Sequence, residues 1–430
     1  MIVSQITHNA QHNPDKVAIK KGSSVLTFAQ LEEKITKAAS EFQVLDGNLI
    51  LIRANNAEGL IQFLAGLKAS KKVIILPASL SSEQWDSLKE TYHAKEYQCA
   101  DLAQFHLGKI ENNDGQIGIL TSGSTGNPKI IWKTQENWEN AFAHQSQVFN
   151  IRFESKVMVV DAMAYSANLN AAIHTLWQGS TLHLTSTQEI RAWGNLIDKE
   201  KLDTLYLVPS HARLLLQNRG EETSVKNIIT AGEKLDIHTA KLLLDKYPGL
   251  LLTEYYGAAE LGHISYHQNE EILAHPASVG KAFPGVEISI DGEEIQVNSP
   301  YISPEYHEKR SVQDLGYFEE GRLLLKGRAG RVFNRRGINV YAEEIENLAT
   351  TFGGIQSAAL IPTQEQKLTL FYCTSNNTQV SSQDLQKYLS QKLPSSKMPN
   401  HLVALDEMPH SEAGKVDFKA LSKMNESAAV

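Results

Sequence analysis

The chain has 430 residues, 42% hydrophobic and 21% charged, the make-up of a globular protein too long for one ordinary core. Its formal charge of −8 offers no broad attraction to nucleic acid or anionic lipid, so a phosphate ligand must be held by local groups. Two cysteines, Cys99 and Cys373, exclude a disulfide scaffold and make no zinc spacing; with no apolar h-region and no run of about eighteen apolar residues, a cytoplasmic protein without a transmembrane segment is expected.

In chain order, His8 and His12 stand one helical turn apart with no third ligand nearby, so a solvated helix face is expected rather than a metal site. Residues 25–28 lead as a strand edge into an amphipathic helix, with Thr27 or a neighbour as its cap. The apolar runs 49–52, 73–77, 117–120, 157–160, 205–208 and 227–230 predict buried strands, with a helix over 59–68 after the first. This alternation predicts an α/β fold, a large N-terminal domain of mainly parallel sheets covered by helices. Beyond Pro276 the texture changes to short strands, with hairpin signals at Asp291-Gly292 and Glu320-Gly321, which predict a small β-rich subdomain. From about residue 330 a small mobile α+β segment follows, with a helix starting near Ala342. The boundary falls within 327–330, giving domains 1–328 and 329–430.

Several stretches carry chemistry. Thr121, Ser122, Gly123, Ser124, Thr125, Gly126, Asn127, Pro128 and Lys129 follow a buried strand. Glycines let backbone N–H groups turn inward, hydroxyls add donors and Lys129 adds a mobile charge, a concavity suited to a polyphosphate. The spacing is neither that of a P-loop nor that of a dinucleotide fold. Ala231-Gly232-Glu233-Lys234 follows the strand at 227–230, where a glycine lets a ligand approach the backbone. In Tyr255-Tyr256-Gly257-Ala258-Ala259-Glu260 an aromatic can stack on a flat base and a carboxylate can hold Mg²⁺. Gln313-Asp314-Leu315-Gly316 and Gly327-Arg328 supply an acid and a guanidinium; Arg335-Arg336-Gly337 precedes a helix, and Gly414-Lys415-Val416 lies near the end.

Together and in this order, these motifs resemble the acyl-adenylate-forming enzymes, the superfamily of acyl-CoA synthetases, peptide-synthetase adenylation domains and luciferases. The closest flavour is that of short bacterial acyl- or aryl-CoA ligases, such as o-succinylbenzoate-CoA ligase and long-chain ligase-like proteins. The resemblance implies an AMP-forming acid–thiol ligase using ATP, Mg²⁺ and CoA on a small carboxylic acid. By the same resemblance Thr121 to Gly126 and Lys129 hold phosphates, Tyr256 with Gly257 and Gly232 with Glu233 flank the adenine, and Glu260 binds the metal. Asp314 takes the ribose, Arg328 ribose or phosphate, Lys415 is the catalytic lysine, and Gly337 passes the thiol-bearing arm. It further implies a C-terminal domain that turns about a hinge at Gly330. The departures are Ala259 for a hydroxyl residue, Gln313 for glycine, Asn339 where arginine is frequent, and no histidine in 164–170. Two alternatives stay open: loading of a carrier-protein thiol, and a nucleotide-binding homologue with a regulatory role.

Overall fold

The computed structural model describes the chain except residues 55, 78–79, 98–103, 111–114, 122–128, 219, 336–337, 364–366, 375–379, 411–415 and 428–430. Among the described residues, a nine-stranded sheet has a parallel centre running Leu251–Ala258, Asn227–Thr230, Thr204–Leu207, Lys156–Val160, Thr181–Thr185 and Val17–Lys21. Its edges are antiparallel: Gly262–Gln268 and Lys281–Ala282 on one side, Ser24–Thr27 on the other. A six-stranded sheet has Leu49–Ile52, Lys72–Ile75 and Ile117–Thr121 parallel at its centre, flanked by antiparallel Phe105–Gly108 and Lys129–Lys133.

Both sheets are buried on two faces, which is why their strands lack polar alternation. Ile50 and Ile52 share a core with Val157 and Val159, through helices Ile2–His12, Phe28–Val44, Ala57–Lys68, Gln135–Val148 and Ser166–Trp177. Those helices form a layer between the sheets. The alternate residues Leu49 and Leu51 face Trp85 on the outer side, while Met158 and Val160 pack on the outer helices Trp193–Glu200 and Ile237–Lys246. Local signals hold where expected. Thr27 caps the helix Phe28–Val44 in a reciprocal box with Gln30, and His8 and His12 sit exposed on one helix face.

Both hairpins form and join into a four-stranded antiparallel sheet, Glu287–Asp291, Glu294–Asn298, Asp314–Glu319 and Arg322–Arg328. The three-residue turn Ala329–Arg331 follows. Beyond it lie a two-stranded ribbon and a three-stranded sheet with helices Ala342–Thr350, Ser382–Lys392 and Phe418–Ser427. The apolar clusters of this C-terminal part draw only on residues 333–421, whereas the large central core ends at Leu325. Among the described residues no helix is long and apolar enough to cross a membrane.

Candidate active site

Of the expected residues, Gly232, Glu233, Tyr256 and Gly257 lie toward the carboxyl ends of the parallel strands Asn227–Thr230 and Leu251–Ala258, where open α/β sheets leave a crevice. Asp314 and Arg328 are register partners on neighbouring antiparallel strands, so Arg328 Nε donates to Asp314 Oδ1 at 2.9 Å. The hydroxyl of Tyr256 donates to the other carboxylate oxygen. Burial, then the Asp314 charge, push the Tyr256 phenol well above its ordinary range, so it serves as a neutral donor. Asp314 is 4% exposed. Gln313, the departure from glycine, holds φ = 64°. That left-handed conformation costs most side chains about 1–2 kcal/mol, which is why glycine suits the position.

Glu260 sits on the tight turn between strands Leu251–Ala258 and Gly262–Gln268. Its backbone carbonyl accepts Ser303 N–H at 2.8 Å and Lys133 Nζ at 3.3 Å. Its carboxylate makes no hydrogen bond or ion pair among the described residues, although its charge reaches Arg328, Tyr256 and Lys133. Lys133, 1% exposed, also donates to Tyr301 O at 2.7 Å. Burial pushes its ammonium down to about 7, against the pull of Glu260.

Only the first and last residues of the nonamer are described, at the facing ends of two antiparallel strands. Thr121 pairs with Lys129 across antiparallel strands, and Thr121 Oγ1 donates to Lys129 O at 3.2 Å. Ser122, Gly123, Ser124, Thr125 and Gly126 lie outside the described residues, as do Gly337 and Lys415. Lys129 Nζ reaches Tyr306 Oη at 3.4 Å and Glu305 at 3.5 Å. Tyr306 N–H in turn donates to Ser303 O, so one short segment touches both the hairpin and Glu260.

Gly232 turns the chain with φ = 92°. The turn is anchored from below by a buried trio. Lys234 Nζ donates to Glu254 at 2.6 Å and to Ser278 O at 2.6 Å, while His267 Nε2 lies 2.5 Å from the same carboxylate. The Glu233 carboxylate accepts Val416 N–H at 3.1 Å. Val416 bridges to His410, so both ends of the stretch containing Lys415 stand against the Gly232 turn.

Beside this turn opens a narrow cleft of about 480 Å³, part of it open to solvent. Tyr165, Ala167 and Asn168 line one wall, and Tyr206, His211 and Tyr255 line others. A histidine does line the cleft, but from another element, the helix Pro209–Leu215. Burial, then the charge of His410, push His211 down to about 4, so it is neutral at pH 7. Sequence reasoning missed His211 and Lys133, because neither lies in a recognisable spacing.

Residues 50–300 match the AMP-binding enzyme family. The Bacillus subtilis protein named "Uncharacterized acyl--CoA ligase YhfT" is 29% identical, covering 98% of this chain and 99% of its own. ATP-bound MatB from Rhodopseudomonas palustris superposes with a TM-score of 0.84 at 18% identity, covering all of both chains. The B. subtilis o-succinylbenzoate coenzyme A synthetase MenE, in complex with ATP and magnesium ion, gives 0.80 at 18% identity, over 97% of this chain and 99% of its own. This chain belongs to the family of AMP-binding enzymes.

Proposed function

We propose that the protein is an ATP-dependent acid–thiol ligase, which adenylates a carboxylic acid, releases pyrophosphate and passes the acyl group to the thiol of CoA. The observation that carries this reading is the convergence of Tyr256, Asp314, Arg328 and Glu260 beside the Gly232 turn, with an apolar cleft next to them. The ATP in MatB, the ATP and magnesium in MenE and the acyl-CoA ligase name of YhfT support the choice of ligands. The core clusters that stop at 325 and resume at 333 support a boundary between domains 1–328 and 329–430.

Each oxygen of Asp314 keeps a lone pair beyond its present partner, so it can accept ribose hydroxyls. Tyr256, tethered by its hydroxyl, presents a ring face to the adenine between itself and Gly232. Arg328 keeps N–H donors beyond the one engaged, for ribose or phosphate. The half-buried carboxylate of Glu260, without a hydrogen bond or ion pair among the described residues, fits Mg²⁺, which takes one or two carboxylates and completes its shell with phosphate oxygens and water. Bound there, Mg²⁺ would neutralise phosphate charge. Thr121, Lys129 and the residues between them hold the β- and γ-phosphates, and the acid lies in the cleft.

A carboxylate oxygen attacks the α-phosphorus in line, the bond to the bridging oxygen breaks, and pyrophosphate leaves with the electron pair. Lys415 meets the charge that develops. The thiolate sulfur of CoA then attacks the acyl carbon and AMP departs. The protein's part is positioning and charge neutralisation. Incubation with ATP, Mg²⁺ and a panel of short, long and aromatic acids is expected to yield AMP and pyrophosphate, and a thioester once CoA is added. ADP as the nucleotide product would overturn the reading, and thioester formation on a carrier protein alone would replace CoA as acceptor.

A further inference from the structure

We infer that Lys133 is a positioning residue for the metal carboxylate: it ties the return strand of the phosphate hairpin to the backbone of Glu260 and so sets the affinity for the divalent cation. The inference rests on the reading of Glu260 as the Mg²⁺ ligand.

Lys133 closes the strand Lys129–Lys133, four residues past Lys129, after the buried Ile131 and Trp132. An apolar side chain there would continue the buried run. Burying an ammonium instead costs several kcal/mol unless its donors are used. They are used on two carbonyls from different elements, Tyr301 O at 2.7 Å and Glu260 O at 3.3 Å. One side chain therefore joins the six-stranded sheet, the turn that carries Glu260 and the segment leading to Ser303. Ser303 N–H holds the same Glu260 carbonyl at 2.8 Å, so the peptide of Glu260 is gripped from two sides while its carboxylate has no hydrogen bond or ion pair among the described residues. The nearest facing titratable groups are the Glu260 carboxylate and His263, a neutral ring that burial pushes down to about 3. A carboxylate whose backbone is fixed in this way meets a cation without first being ordered, which is how preorganisation raises affinity. The strand that ends in Lys133 and the backbone of Glu260 are thereby tied to one another.

The test measures Mn²⁺ binding to the protein complexed with α,β-methylene ATP, by water-proton relaxation, alongside nucleotide affinity in EDTA. Lys133→Met is expected to weaken Mn²⁺ binding by about tenfold, one lost charge-assisted bond, while metal-free nucleotide affinity stays within twofold. Glu260→Gln sets the limit of complete loss. Lys133→Gln, which keeps an amide donor, is expected to fall between the two and decides the matter if the Met variant does not fold. Unchanged Mn²⁺ affinity in both Lys133 variants, or a parallel loss of metal-free nucleotide affinity, overturns the inference. If Glu260→Gln leaves the wild-type affinity intact, the assignment of Glu260 fails first, and the inference with it.

Discussion

At the scale of single residues, the site is built from groups whose burial sets their protonation. Tyr256 and His211 are held neutral, and the Asp314 carboxylate accepts from two donors. The same physics acts away from the site at His174, fully buried with Nε2 2.9 Å from Ser146 Oγ. Burial, then the charge of His263, push it down to about 3. In the unfolded chain it titrates near 6.5, so from about pH 6.5 down toward 3 the unfolded state binds a proton that the native state refuses. Its contribution is complete above that window and is lost as pH falls, at about 1.4 kcal/mol per unit. His263 and His183, held near 3 and 4, act in the same direction. The unfolding midpoint is therefore expected to drop steeply between about pH 6 and pH 5, with a shallower drop in His174→Gln. Equal slopes for the two proteins would mean that His174 is not held neutral.

At the scale of elements, two glycines that look alike in sequence differ in what surrounds them. A Cβ on Gly257 would lie 2.5 Å from the carbonyl oxygen of Gly262, across the turn that carries Glu260. Gly257→Ala must spread that turn, so a stability loss of about 1–3 kcal/mol and a fall in pyrophosphate release of at least tenfold are expected. A Cβ on Gly330 meets nothing within 4 Å, and its φ lies outside the left-handed region. Gly330→Ala is therefore expected to match or slightly exceed wild-type stability, by up to about 1 kcal/mol. Chemical denaturation of both variants, read with pyrophosphate release, checks the contrast; a destabilised Gly330→Ala would reveal a constraint absent from this arrangement. Strands and hairpins themselves were legible, because period, turn chemistry and capping are written within a few residues, as in the Thr27–Gln30 box.

At the scale of the whole molecule, hydrogen bonds tie the segment after residue 328 to the part before it, near the junction and beside the site. Tyr341 Oη donates to Glu293 at 2.6 Å near the junction, and Val416 N–H donates to Glu233 at 3.1 Å beside the site. Val416 follows Lys415, so the second contact holds the lysine's neighbour in place. Glu233→Ala is expected to slow pyrophosphate release by roughly tenfold to a hundredfold, the worth of a hydrogen bond to a charged group. Thioester formation from supplied acyl-AMP and CoA is expected to stay near wild type, because the resemblance implies that the domain turns away for that step. A role for Glu233 in binding adenine would lower both half-reactions together, since acyl-AMP keeps its adenine.

The sequence by itself determined the α/β class and the order of the motifs, since both depend on neighbours close along the chain. The antiparallel sheet edges, the layer of helices between the sheets and the walls of the cleft were decided only in three dimensions. So were the contacts that give Lys133 and Glu233 their meaning, which span 127 and 183 residues of chain. A lysine after two apolar residues and a glutamate after a glycine carry no local mark of their partners. Packing alone brings these groups within hydrogen-bond distance, and burial then decides which of them bear charge.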